Sequence, residues 1–77
     1  MEYEITVDEN VSSSKDKPTF DVDLVAWDRF GGGMKHSRGF GITKSEAQTV
    51  VKKQARIYNA YVTYKTPEIE KFYQGGE

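Results

Sequence analysis

From Glu2 to Val7 apolar and polar side chains alternate without a break. Tyr3, Ile5 and Val7 fall on one side and Glu2, Glu4 and Thr6 on the other. A period of two is that of a half-buried strand, and it predicts one over about residues 2–8. The same period returns over about 19–28, with Phe20, Val22, Leu24 and Ala26 on one face and Asp21, Asp23, Val25 and Trp27 on the other. Between the two, Asp8–Pro18 is polar, rich in Ser and Lys and without apolar period, which predicts a mobile loop. Gly31-Gly32-Gly33 cannot hold a strand interior and predicts a turn into a third strand over about 34–42.

At Lys44 the period changes. Ala47, Val50, Val51, Gln54, Tyr58, Tyr61 and Val62 recur at a 3.6-residue spacing, which predicts one long helix over about 44–64. Thr43 is a good N-cap, and Glu46 three residues later completes a capping box. Lys44, Gln48, Lys52 and Arg56, spaced by four, form a ridge beside the apolar stripe. Thr66-Pro67-Glu68 reads as a fresh helix start with proline at the first helical position. A short helix over about 67–73 follows, with Ile69, Phe72 and Tyr73 on one side, and Gly75-Gly76-Glu77 is expected to fray. The pattern predicts a single α+β domain over residues 1–77: a three-stranded antiparallel sheet packed against one long helix (β-β-β-α), plus a short C-terminal helix. One helix leaves apolar sheet surface uncovered, so residues 67–73 are expected to fold back against the domain.

Composition narrows the function. Seventy-seven residues leave no room for a second core, and with no cysteine there are neither disulfides nor thiolate metal sites. No apolar run approaches the ~20 residues a membrane span needs, and no basic segment followed by an apolar one opens the chain. The expected compartment is cytoplasmic, with no membrane partner. Catalysis lacks a cysteine nucleophile, a second histidine and a Gly-rich phosphate loop before a Lys-Ser/Thr pair, so the chain reads as not an enzyme and without a cofactor. Glu4, Asp21, Asp23 and Asp28 lie on flat strands with no tight glycine turn between them, and no metal site is expected. His36, the one histidine, reads as a surface residue beside Lys35 and Arg38. Trp27 with Val25 reads either as an exposed anchor or as cover for its own sheet.

The net charge of −1 hides a segregated layout. Residues 1–28 hold eight acids and two lysines; residues 29–65 hold eight bases and one acid, Glu46. Either a polyanion meets the basic segment, or acidic strands and basic helix neutralise each other in the fold. Lys44 lies at a helix N-terminus, where unpaired N–H groups and the macrodipole favour anions.

Tyr3-Glu4-Ile5, then Phe20-Asp21-Val22-Asp23-Leu24, then Gly39-Phe40-Gly41-Ile42-Thr43-Lys44-Ser45-Glu46-Ala47-Gln48 resemble, in order and spacing, the strands and last helix of a double-stranded RNA-binding domain. The resemblance runs from Tyr3 to about Tyr58. It implies recognition of a duplex by shape, through 2′-hydroxyl and phosphate contacts. The chain departs from the family in three places. The family's first helix has no counterpart in this run. Val11-Ser12-Ser13-Ser14 stands where the family has Gly-Pro-x-His. Of three helix lysines that clamp phosphates, only Lys44 matches, with Ser45 and Gln48 at the other two positions. Arg38 to Ala47 also resembles the strand-to-helix junction of arm-type DNA-binding domains of phage integrases, which set a sheet face in the major groove. Here that face carries Glu4, Asp21 and Asp23, which repel phosphates, so this resemblance ranks second.

The first resemblance implies a small non-enzymatic nucleic-acid-binding module. It would hold phosphates of structured RNA or DNA through the N-terminus and basic ridge of the main helix, with Arg38, Lys44, Gln48, Lys52 and Arg56 as the contacts. The alternative is a protein-interaction module on a degenerate form of the same fold, a phage- or plasmid-type accessory or inhibitor protein. Its acidic sheet face would pair with a basic, nucleic-acid-binding surface of a host protein.

Overall fold

The computed structural model describes residues 1–75; of the three residues expected to fray, Gly76 and Glu77 lie outside the described residues. Three strands, β1 (Glu2–Glu9), β2 (Phe20–Trp27) and β3 (Gly33–Ile42), form an antiparallel meander. They are followed by α1 (Lys44–Tyr58), β4 (Tyr61–Tyr64) and α2 (Pro67–Gln74). The sheet order is β3-β2-β1-β4, and β4 runs parallel to β1. Helix α1 is thus a crossover, carrying the chain from one edge of the sheet to the other.

The fold is α+β, but it differs from the pattern the sequence predicts. The sheet has four strands and is mixed rather than three-stranded and antiparallel, and the main helix stops at Tyr58 rather than Tyr64. Asn59 is the reason for the stop. It takes up the left-handed conformation (φ 53°, ψ 47°), and its N–H donates to the Ala55 carbonyl, which closes the helix. Beyond it, Tyr61-Val62-Thr63-Tyr64 alternates aromatic and β-branched residues, the composition of a strand. Tyr61 and Val62 also fit the helical spacing. What decides against the helix is β1, whose backbone donors and acceptors along one edge need a partner. The pairing sets Ile5 beside Val62 and Val7 beside Tyr64 facing the core, and sends Tyr61 and Thr63 to the outer face.

The core lies between the sheet's inner face and the helices. Ile5, Val7 and Val22 are fully buried, and Phe20, Leu24, Ala47 and Val51 join them. Helix α2 completes this core with Ile69 and Tyr73. The ring of Phe72 stacks on Phe20 with centroids 5.8 Å apart, and Tyr73 meets Phe20 edge-on at 5.9 Å. Each such side chain, when buried, stabilises the fold by roughly 1.5–3 kcal/mol.

Two local features position the outer face. The segment between β1 and β2, whose composition predicts mobility, is tied by its own hydrogen bonds. The Asn10 N–H donates to the Thr19 carbonyl (3.0 Å), the Ser12 N–H donates to Asn10 Oδ1 (2.9 Å), and the Thr19 N–H donates to Ser13 Oγ (3.0 Å). Toward the end of β3 the register with β2 slips, and Gly41 sits at φ +64°, where a β-carbon would be strained. That geometry turns the Gly41 N–H toward Asp21, whose Oδ1 accepts from it (2.9 Å) and from the Asn10 amide (2.8 Å).

Candidate functional site

The five residues that the sequence marks for phosphate contact fall into three groups. Lys44 opens α1 behind the expected capping box: Thr43 Oγ1 accepts from the Glu46 N–H (3.1 Å) and Glu46 Oε1 from the Thr43 N–H (2.9 Å). A cation here opposes the dipole of α1, yet its ammonium points at the other helix. It donates to the Gly75 carbonyl (2.9 Å) and lies 4.8 Å from the centroid of the Phe72 ring. The C-terminal end of α2, with its partial negative charge, offsets the cost at α1. One turn on, Gln48 is drawn into the same contact, its amide donating to the Tyr73 carbonyl (2.9 Å). Both side chains clasp α2.

Lys52 and Arg56 continue the ridge into solvent. Together with Gln48, Thr49 and Lys53 they line one shallow groove along α1 that contains no carboxylate. Arg38 is elsewhere. It lines a hollow on the inner face of the sheet with Tyr3, Leu24, Met34, His36 and Tyr58, past the end of α1. The structure therefore pairs Lys44 with Gln48 on α2, leaves Lys52 and Arg56 together on the open part of the ridge beside Gln48, and sets Arg38 apart.

The outer face of the sheet has the opposite sign. Glu2, Glu4, Asp8, Asp21 and Asp23 project from β1 and β2, and Asp8 stands directly opposite Asp21 in the ladder. Like charges across a ladder repel; here Asp21 is compensated by its two N–H donors. Among the described residues the one ion pair is Lys35 Nζ with Asp23 Oδ2 at 3.9 Å, on this face. The acidic strands and the basic helix do not pair with each other across the fold.

Three apolar or aromatic side chains sit among these carboxylates. The register aligns Lys35, Val25, Glu4 and Tyr61 in one row across all four strands. Trp27 lies beside the row, its ring over Gly33, where even a β-carbon would come within 2.8 Å. Its indole Nε1–H donates to Glu4 Oε1 at 2.8 Å, which fixes the carboxylate in place. Tyr61 is 47% exposed, and its hydroxyl is harder to ionise than an ordinary phenol, through desolvation first and then the charges of Glu4 and Glu2. Tyr61 carries no signal of this role in the sequence, because it reaches the outer face only through β4. The Trp27–Glu4 contact is foreseeable once the hairpin register places Trp27 opposite Glu2.

Among the described residues no group of three or more His, Asp or Glu side chains is placed to hold a metal ion, and no helix is long and apolar enough to cross a membrane. Comparison with protein-family models, with curated proteins and with solved structures finds no match to this chain.

Proposed function

We propose that this protein is a small non-enzymatic binding module whose outer sheet face receives a basic surface of another protein. The observation that carries this reading is the hydrogen bond from Trp27 to Glu4, with Tyr61 next in the row. It pre-organises a carboxylate between two aromatic side chains, a combination suited to a lysine or arginine through ion pairing and cation–π contact. Trp and Tyr are also the side chains that most often dominate protein interfaces. The surrounding carboxylates attract a cationic partner from a distance and repel nucleic acid. A basic surface of this kind is what a nucleic-acid-binding protein presents, so an inhibitor or accessory role toward such a protein follows.

The groove along Lys52 and Arg56 favours a second reading, a double-stranded-RNA-binding-like module that holds phosphates along α1. With Lys53 it offers three cations, enough for a salt dependence of roughly three phosphate contacts. One experiment separates the two. The ¹⁵N-labelled protein is titrated with an eight-residue Lys/Arg peptide and, separately, with duplex RNA and duplex DNA at two salt concentrations. The first reading expects the peptide to shift the Trp27 indole N–H and the amides of Glu4 and Tyr61. It also expects Glu4→Gln to weaken binding roughly tenfold, about 1.4 kcal/mol. Salt-sensitive binding of a duplex along α1, with no response to the peptide, establishes the second reading instead.

A further inference from the structure

We propose that the groove between the β1–β2 loop and α2 takes an apolar side chain of the same segment that the outer sheet face receives, so that the preferred partner is cationic and carries a large apolar residue at one end. This rests on the reading above and specifies its ligand. The groove measures about 870 Å³, within the range of sites that hold small ligands and side chains. Its apolar lining comes from Val11, Pro18, Phe20, Ile69 and Phe72. Phe72 stays 46% exposed although its ring stacks on Phe20, and Val11 at the lip is 95% exposed.

Three further observations select the occupant. The rim is acidic: Asp8, Glu9 and Glu68 line it against a single Lys15. The groove meets the outer face at its rim, where Asp8 lines the one and stands in the ladder of the other. The loop wall is already set, since Asn10 is 6% exposed and bonded through its backbone and both ends of its side chain. A pre-formed wall spares the ordering entropy that a slack loop would lose on binding. Geometry then gives the spacing. From Glu4 to Asp8 is four residues of strand, about 13 Å at roughly 3.3 Å per residue. An extended partner that sets a cation against Glu4 reaches the rim at Asp8 with the residue four positions away, and that side chain or the next is the one that turns into the groove.

The test uses two acetylated, amidated peptides, Phe-Gly-Lys-Gly-Lys-Arg and the same peptide with Gly in place of Phe, titrated into the full ¹⁵N-labelled chain. The Phe peptide is expected to bind at least fivefold more tightly, and to shift the amides of Val11, Ile69 and Phe72 as well as the Trp27 indole. In Phe72→Gln, with its fold checked by the spectrum, and independently in Val11→Gln, that advantage is expected to fall below twofold while affinity for the Gly peptide is unchanged. Equal affinities with shifts confined to the sheet overturn the groove and leave the sheet reading intact. Shifts confined to the groove overturn the sheet reading and leave an apolar site. No shift from either peptide overturns both.

Discussion

Lys44 and Lys52 stand two turns apart on one ridge of α1, each flanked by the next member of the same four-residue spacing. At the N-terminal end Lys44 and Gln48 are spent on the carbonyls of Gly75 and Tyr73, while at the C-terminal end Lys52 and Arg56 face solvent. Spacing along a helix places side chains on one line, but whether they are free is decided by whichever later element lands on them. Here α2 covers half of the ridge. A chain with the same α1 and no α2 would present an unbroken line of donors from the helix N-terminus onward, the arrangement a phosphate site needs. With α2 in place the half nearest the dipole is used internally. What remains free for a partner is a short cationic patch on one side and a pre-organised acidic face on the other.

The severest way to break this comparison is to remove α2. Deleting residues after Lys65 takes away Ile69, Phe72 and Tyr73, of which Ile69 and Tyr73 are core residues. At roughly 1.5–3 kcal/mol for each buried side chain, the loss is comparable to the whole stability of a small domain. The truncated chain is expected to be unfolded, or to melt more than about 10 °C below the full chain by circular dichroism. Melting within a couple of degrees of the full chain would mean that α2 covers nothing that matters.

A milder test compares the two ends directly. Lys44→Glu exchanges a donor for a carboxylate aimed at the carbonyls that close α2. Against this, a glutamate in the first turn of α1 gains roughly 0.3–1 kcal/mol from the dipole. A hydrogen bond from a charged group is worth about 1.5–3 kcal/mol, less at a half-exposed site, so the loss wins and a net cost of about 1 kcal/mol is expected. Lys52→Glu has no such contact to break and is expected to stay within about 0.5 kcal/mol of the parent. Urea unfolding of the two variants checks this. Equal costs would make Lys44 an ordinary surface lysine.

Part of this molecule is legible in its sequence. The inner face of β1 and β2 is, because a period of two over eight residues has no competing interpretation: Ile5, Val7, Phe20, Val22 and Leu24 are the buried set. The capping box at Thr43 is legible for a similar reason, since both partners lie within one turn. β4 is not. Tyr61 and Val62 satisfy the helical and the extended period alike, and the choice between them is made by β1, more than fifty residues earlier in the chain. The candidate site suffers from the same limit. The Lys44–Gly75 contact spans 31 residues, and the row that unites Lys35, Val25, Glu4 and Tyr61 draws on all four strands. Local spacing carries no information on either.

The finest test asks how well the N-terminal clasp is fitted, and it turns on Tyr73. Its carbonyl accepts from Gln48, its ring is 4% exposed, and among the described residues its hydroxyl finds no hydrogen-bond partner. Burial in the first place, and the neighbouring Tyr64 in the second, push its ionisation well above the ordinary value of 10.0. Below pH 10 the phenol is neutral in both folded and unfolded chains and its contribution to stability is constant. Above pH 10 the unfolded chain releases the proton and the folded chain holds it, so stability falls as pH rises, with a slope that grows toward one proton's worth for this one group. Tyr73→Phe removes a buried, unpartnered hydroxyl and keeps the ring contacts with Phe20 and Tyr64, so at pH 7 it is expected to be neutral or stabilising by up to about 1 kcal/mol. Between pH 10 and 11.5 the variant is expected to lose stability less steeply than the parent, by about one proton's worth. Urea unfolding at a series of alkaline pH values reads both quantities. An unchanged alkaline slope would place the Tyr73 hydroxyl in water, and a loss of more than about 1 kcal/mol at pH 7 would reveal a partner for it.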